Sequence, residues 1–177
     1  VYQTEDELRR YLVDQLSDVT DEELRDELNL YYILGFAPKD FDLRQFYIDM
    51  YSEQIAGFYD PEENRMYLIE NDSPYNNAVT LAHEYTHFLQ YNNPEFKDIL
   101  MYDDEFCEEN GEQCIILDSI IEGDATLTES LIDVDSLIGN YKDNSNISNT
   151  ESVVFDSAPK FFQDSMVFPY LYGYDFV

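Results

Sequence analysis

Apolar positions recur at helical spacing along most of the chain and alternate only in one short stretch, which predicts a mainly helical fold with a small β element. Thr4-Glu5-Asp6-Glu7 reads as a capping box, and Leu8, Tyr11, Leu12 and Leu16 follow on one helical face. A second box at Thr20-Asp21-Glu22-Glu23 opens a helix carrying Leu24, Leu28, Tyr31 and Tyr32, stopped near Gly35 with Pro38 beyond. Asp42 caps a third helix with Leu43, Phe46, Tyr47, Met50 and Tyr51 along one side.

The texture then changes. Gln54 to Tyr59, a turn over Asp60 to Asn64, and Arg65 to Ile69 predict a β-hairpin. Asn71 to Pro74 reads as loop, and a long helix is expected from Asn76 or Asn77 to Tyr91, halted by Asn92-Asn93-Pro94. A short helix over Phe96 to Tyr102 and an acidic stretch from Asp103 to Glu112 follow. Ile115 to about Leu137 reads as a further long helix, Asp143 to Glu151 as an Asn/Ser-rich loop, and Ala158 to Val177 as an aromatic segment that packs. With no internal repeat and no clear boundary, the expectation is one α+β, mainly helical domain over 1–177. In it a helical part, 1–53, packs on a core of 54–177.

Charge removes several function classes. Asp and Glu number 39 against 9 Lys and Arg, a formal net charge of -30, which repels nucleic acid and anionic membranes. No apolar run reaches the length of a membrane span. The acidity reads either as attraction for cationic substrates or Ca2+, or as a surface suited to high salt or kept soluble by self-repulsion. Cys107 and Cys114 flank the turn signal Asn110-Gly111, so a disulfide competes with free thiols; the disulfide is favoured and places the chain in an extracytoplasmic or secreted setting. The chain opens at Val1 instead of Met, the expected look of an excised domain or a mature form.

His83-Glu84-Tyr85-Thr86-His87 carries the chemistry. Residues four apart share a helix face, so both imidazoles can reach one metal ion, and Glu84 stands where it can serve as general base. These are the chain's 2 histidines, so a catalytic zinc must take a carboxylate as its third ligand. Glu122 stands in the apolar helical stretch Ile120-Ile121-Glu122-Gly123, where burying a carboxylate is costly without a metal or partner. The competing reading of Glu122 is an ordinary exposed helix residue. Gly123 would let the Glu122 helix approach the histidine helix closely. Asp118 and Asp124 rank equally as acceptors that could orient a histidine from behind, and the 103–112 acids offer a weak Ca2+ site.

HEYTH followed by Glu-Gly-x-Ala resembles the gluzincin metallopeptidases, the clan that includes thermolysin. More narrowly, Gln54 to Pro61, His83 to His87, Glu122 to Thr126 and Phe168-Pro169-Tyr170 resemble a group of prokaryotic metallopeptidases with these pieces in the same order, over about residues 30 to 177. The resemblance implies a zincin-like metal helix with a small antiparallel sheet and a downstream glutamate helix. It implies one Zn2+ on His83, His87 and Glu122, with Glu84 as general base of a zinc-dependent endopeptidase acting on a peptide or protein. Thr126 stands where thermolysin-like enzymes carry an Asp that supports the first His. In the narrower group the pattern runs on past Val177, so the resemblance implies a missing C-terminal piece.

With both histidines used as ligands, the oxyanion stabiliser must be Tyr, Arg or the metal alone, and Tyr170, Tyr172 and Tyr174 are the candidates. The hairpin is either a strand on which a peptide lies, with Gly57 admitting close approach, or a plain core element. The rival readings are a silent or latent gluzincin-like domain that binds peptide or protein, and an acidic calcium-binding domain with a chance HExxH.

Overall fold

The computed structural model describes residues 1–70, 73–96, 104–132 and 152–177. Its elements run β1 (Tyr2–Gln3), α1 (Glu5–Gln15), α2 (Asp21–Leu34), α3 (Leu43–Gln54), β2 (Gly57–Asp60), β3 (Arg65–Ile69), α4 (Pro74–Asn92), α5 (Asp104–Glu109), α6 (Gly111–Leu131), α7 (Val153–Ser157) and α8 (Lys160–Phe176). The fold is α+β and mainly helical, as the hydrophobic spacing predicts. The short helix expected over 96–102 and the loop over 143–151 lie largely or wholly outside the described residues.

The chain divides into two compact units, one of Val1–Tyr2, Ala56–Ile147 and Met166–Val177, the other of Gln3–Ile55 and Ser148–Ser165. The second unit is built from α1, α2, α3 and α7. Both expected capping boxes form: Thr4 Oγ1 accepts from the Glu7 amide at 3.3 Å and Thr20 Oγ1 from the Glu23 amide at 3.3 Å, while each Glu side chain returns to the cap amide. Gly35 caps α2 in the left-handed conformation, φ 78°, and Asp42 accepts from the Gln45 amide to start α3. Leu8, Leu12, Leu24, Leu43, Ile48 and Met50 are buried together with Phe162, whose ring meets those of Tyr31, Phe41 and Phe46. Glu53 at the end of α3 accepts both the Val154 and Phe155 amides at 2.9 Å, so it neutralises the open N-terminus of α7.

The first unit holds the sheet and the histidine helix. β2 and β3 pair antiparallel with Gly57 opposite Leu68 and Asp60 opposite Arg65. The turn between them is closed by Asp60 Oδ1, which accepts from the amides of Glu62 and Glu63 at 2.8 and 2.9 Å, and by Asn64 at positive φ. The hairpin starts three residues later than its sequence pattern, because Gln54 is spent on the last turn of α3. β1 joins the far side of β3, giving the order β1-β3-β2 in a mixed sheet. Two residues are too few for a periodic signal, so this strand is not legible in the sequence.

Two helices begin earlier than expected. α4 starts at Pro74, where a proline costs no hydrogen bond at the first helical position, and Ser73 Oγ accepts from the Asn76 amide at 3.2 Å. α6 starts at Gly111, so Asn110-Gly111 forms a helix–helix junction, across which Cys107 and Cys114 join in a disulfide with their Cα atoms 5.3 Å apart. Gly123 is used differently from the expectation. A Cβ there would strike the backbone of Gly173 on α8, whose Cα lies 2.7 Å from that position. The approach that Gly123 itself permits is therefore that of α8, while α6 also packs along the histidine helix.

Two measurements check this account. Gly123→Ala should lose at least about 2 kcal/mol in denaturant unfolding, because backbone cannot move aside as a side chain would. Glu53 has a carboxyl pKa below its ordinary 4.5: burial raises it, and the amide bonds from Val154 and Phe155 outweigh that. A depressed folded pKa contributes stability above the unfolded value and loses it as pH falls through the folded one. Glu53→Gln should therefore cost about 0.5–1 kcal/mol at pH 7, and the difference from wild type should shrink as pH drops below 4.5.

Candidate metal centre

The helical repeat of α4 puts His83, His87 and Gln90 along one stripe facing α6, and Glu84 on the adjoining stripe facing the sheet. α6 presents Glu122 to both histidines. Its Oε2 lies 3.1 Å from His83 Nε2 and 3.6 Å from His87 Nε2, and one ligand atom from each of the three residues falls within 4.8 Å of the others. Ligands about 2.0–2.1 Å from a tetrahedral zinc stand about 3.3 Å apart, so the two measured separations bracket the zinc value. Two nitrogens and one carboxylate oxygen also suit zinc chemically. Side-chain exposures of 13% for each histidine and 24% for Glu122 leave solvent a route in, so a fourth position is reachable by water or substrate. The Ca2+ expectation gains no support among the described residues, where this is the one such group of three.

Electrostatics follows from packing three titratable groups together. Burial works against charge on His83, but the carboxylates of Glu122 and Glu129 prevail and raise its pKa to about 10. His87 is raised the same way by Glu122, again against burial. Glu122 is pulled down to about 2 by the two imidazoles, although burial opposes it. Glu84 is 6% exposed; burial pushes its carboxyl up, His87 and His83 pull it down, and the net shift is upward. The Tyr59 backbone amide on β2 adds a smaller downward pull on the same carboxyl.

Behind the two histidines stand side-chain oxygens of two kinds. His83 Nδ1 lies 3.3 Å from Glu129 Oε2. His87 Nδ1 lies 3.0 Å from Gln90 Oε1, and the Gln90 amide nitrogen donates to the Ile121 carbonyl at 3.1 Å and to Asp124 Oδ2 at 2.9 Å. Of the two acids ranked equally from sequence, Asp124 thus joins the network through Gln90. Asp118, pushed up to about 6 by burial and by the Glu122 charge, lies in its field. Sequence reasoning missed Glu129, Gln90 and the Tyr59 amide. Glu129 had a usable signal, since seven residues past Glu122 is two turns along the same face. A backbone amide leaves no trace in composition.

The tyrosines separate. The Tyr170 ring lies 6.1 Å from that of His83, while Tyr172 is 62% exposed and meets Phe168 in a tilted contact at 4.8 Å. Two residues turn a helix by about 200°, so Tyr170 and Tyr172 cannot face the same site; Tyr174 shares the Tyr170 face and is 41% exposed. Gly57 is taken up internally, because a Cβ there would lie 2.7 Å from Thr80 Cγ2 of α4.

Metal uptake has a predictable pH dependence. A His83 pKa near 10 means the metal-free residue is protonated at neutral pH and must shed that proton to bind. Zinc affinity should rise about tenfold per pH unit for each proton released, and calorimetry in buffers of different ionisation enthalpy reads the proton count directly.

Residues 38–119 match the model of the Peptidase_M78 family, described as the IrrE N-terminal-like domain, a little under half of the 177 residues. No curated protein and no solved structure matches the chain. The matched stretch takes in α3, the β2–β3 hairpin, the whole histidine helix and the start of α6, and stops three residues short of Glu122. Over that stretch the chain is similar to a metallopeptidase-type domain.

Proposed function

We propose that the chain is a zinc-dependent endopeptidase of gluzincin type, with His83, His87 and Glu122 as metal ligands and Glu84 as general base. The observation that carries this reading is the convergence of those three ligand atoms within 4.8 Å, with a buried Glu84 on the helix that bears both histidines. A purely structural metal site has no use for a carboxylate held there. Zinc, when bound, supplies Lewis acidity toward the scissile carbonyl and activates water.

The protein's own groups do the rest. Glu84 accepts a proton from the attacking water and passes it to the leaving amine, a task for which a raised carboxyl pKa is suited. Tyr170, whose ring lies beside that of His83, is the candidate donor to the developing oxyanion. β2 lies at one edge of the sheet and could pair with an extended peptide. The net charge of -30 favours substrates carrying Lys or Arg. The Cys107–Cys114 disulfide supports an extracytoplasmic or secreted setting.

Digestion of a peptide library by the zinc-loaded chain tests the reading. Wild type should cleave, Glu84→Gln should lose at least about 100-fold in kcat/KM while keeping its zinc, and Tyr170→Phe should lower kcat more than it changes KM. Bound zinc with equal inertness of wild type and Glu84→Gln would instead favour a silent, peptide-binding domain.

A further inference from the structure

The two histidines are supported from behind in different ways, and the difference assigns a role to a residue outside the ligand set. An imidazole that binds metal through Nε2 must carry its proton on Nδ1, and what accepts that proton fixes the ring's tautomer and direction. For His87 the acceptor is a neutral amide oxygen. Gln90 cannot turn over, because its nitrogen is committed to two acceptors, the Ile121 carbonyl and Asp124, leaving only its oxygen to face the ring. For His83 the facing group is a carboxylate, Glu129, in ion-pair contact with Nδ1 at 3.3 Å.

Position 126 does not compete for that role. Thr126 lies one turn past Glu122, and its hydroxyl is buried without a hydrogen-bond partner. One turn further on, Glu129 is long enough to reach back to His83. An ionised carboxylate can only accept, so it leaves His83 one metal-binding form, with Nδ1–H toward Glu129 and Nε2 toward Glu122.

We propose that Glu129 is the positioning residue of the metal centre, holding His83 in its Nε2-binding tautomer, while the Gln90–Asp124 pair does the same for His87 with a neutral contact. This rests on the metal-site reading above. It makes the centre asymmetric, with a carboxylate behind one ring and a neutral amide behind the other, and the support of each ring can be altered separately.

The test uses the full chain, with Glu129→Gln and Glu129→Ala compared with wild type. Zinc affinity, measured by competition with a chromophoric chelator, should fall in the order wild type, Gln, Ala, with Ala about 10–100-fold weaker. Gln should rescue part of the loss because its amide oxygen still accepts from Nδ1–H. In long-range 1H–15N spectra of the zinc-loaded proteins, the His83 Nδ1 proton should exchange faster in both variants, while that of His87 stays protected by Gln90. If wild type binds zinc and both variants bind it equally tightly with unchanged His83 signals, the inference falls and the metal site stands. If the His87 signals change as much as those of His83, general loosening of α6 is the cause and the inference also falls. If wild type itself binds no zinc, the site reading fails, and this inference with it. Glu129 is partly exposed, so folding of the Ala variant is expected and is checked by circular dichroism; should it fail, the Gln comparison decides alone.

Discussion

The first unit is organised around one expensive arrangement: a carboxylate set between two imidazoles in a partly dry space. Removing any of these groups from water is costly, and their mutual attraction recovers that cost only if all of them are held in register. The opposed shifts make the coupling visible. Glu122 is driven down to about 2 while His83 is driven up to about 10, each stabilising the charged form of the other.

Holding that register takes contacts from several elements. α4 supplies both histidines by its own repeat, and α6 supplies Glu122, Asp124 and Glu129 on neighbouring turns. β2 brings the Tyr59 amide to bear on the Glu84 carboxyl. The network is built mostly from side chains with fixed hydrogen-bonding direction: acceptor-only carboxylates and one amide whose nitrogen is fully committed. Such groups leave each ring little choice of tautomer, which is what a metal site requires before the metal arrives.

Much of this was legible in the sequence for reasons that are local. The capping boxes at Thr4 and Thr20, the stop at Gly35 and the hairpin turn at Asp60 to Asn64 all work through contacts a few residues apart. The histidine pair was legible because i and i+4 share a face, and Glu122 because a carboxylate in an apolar helical stretch needs a reason. What stayed hidden depends on distant pairing. Gly123 signalled close approach but not the identity of its neighbour, Gly173, some fifty residues away. Gln90 looked like any polar helix residue until Asp124 was placed beside it. β1, at two residues, carried no pattern.

The Gly123–Gly173 crossing has a consequence for how this chain can vary. Elsewhere, a substituted core residue can be accommodated by a neighbour changing rotamer, so variants drift and compensate. Here main chain meets main chain, and a Cβ on either glycine meets the other helix's backbone: Gly173 itself from one side, Ser119 and Gly123 from the other. Backbone has no rotamers to offer. The helix bearing Glu122 and the helix bearing Tyr170 are thereby locked into one mutational unit. Sequence change at this crossing has no compensating partner, while the helix surfaces around it remain free to diverge.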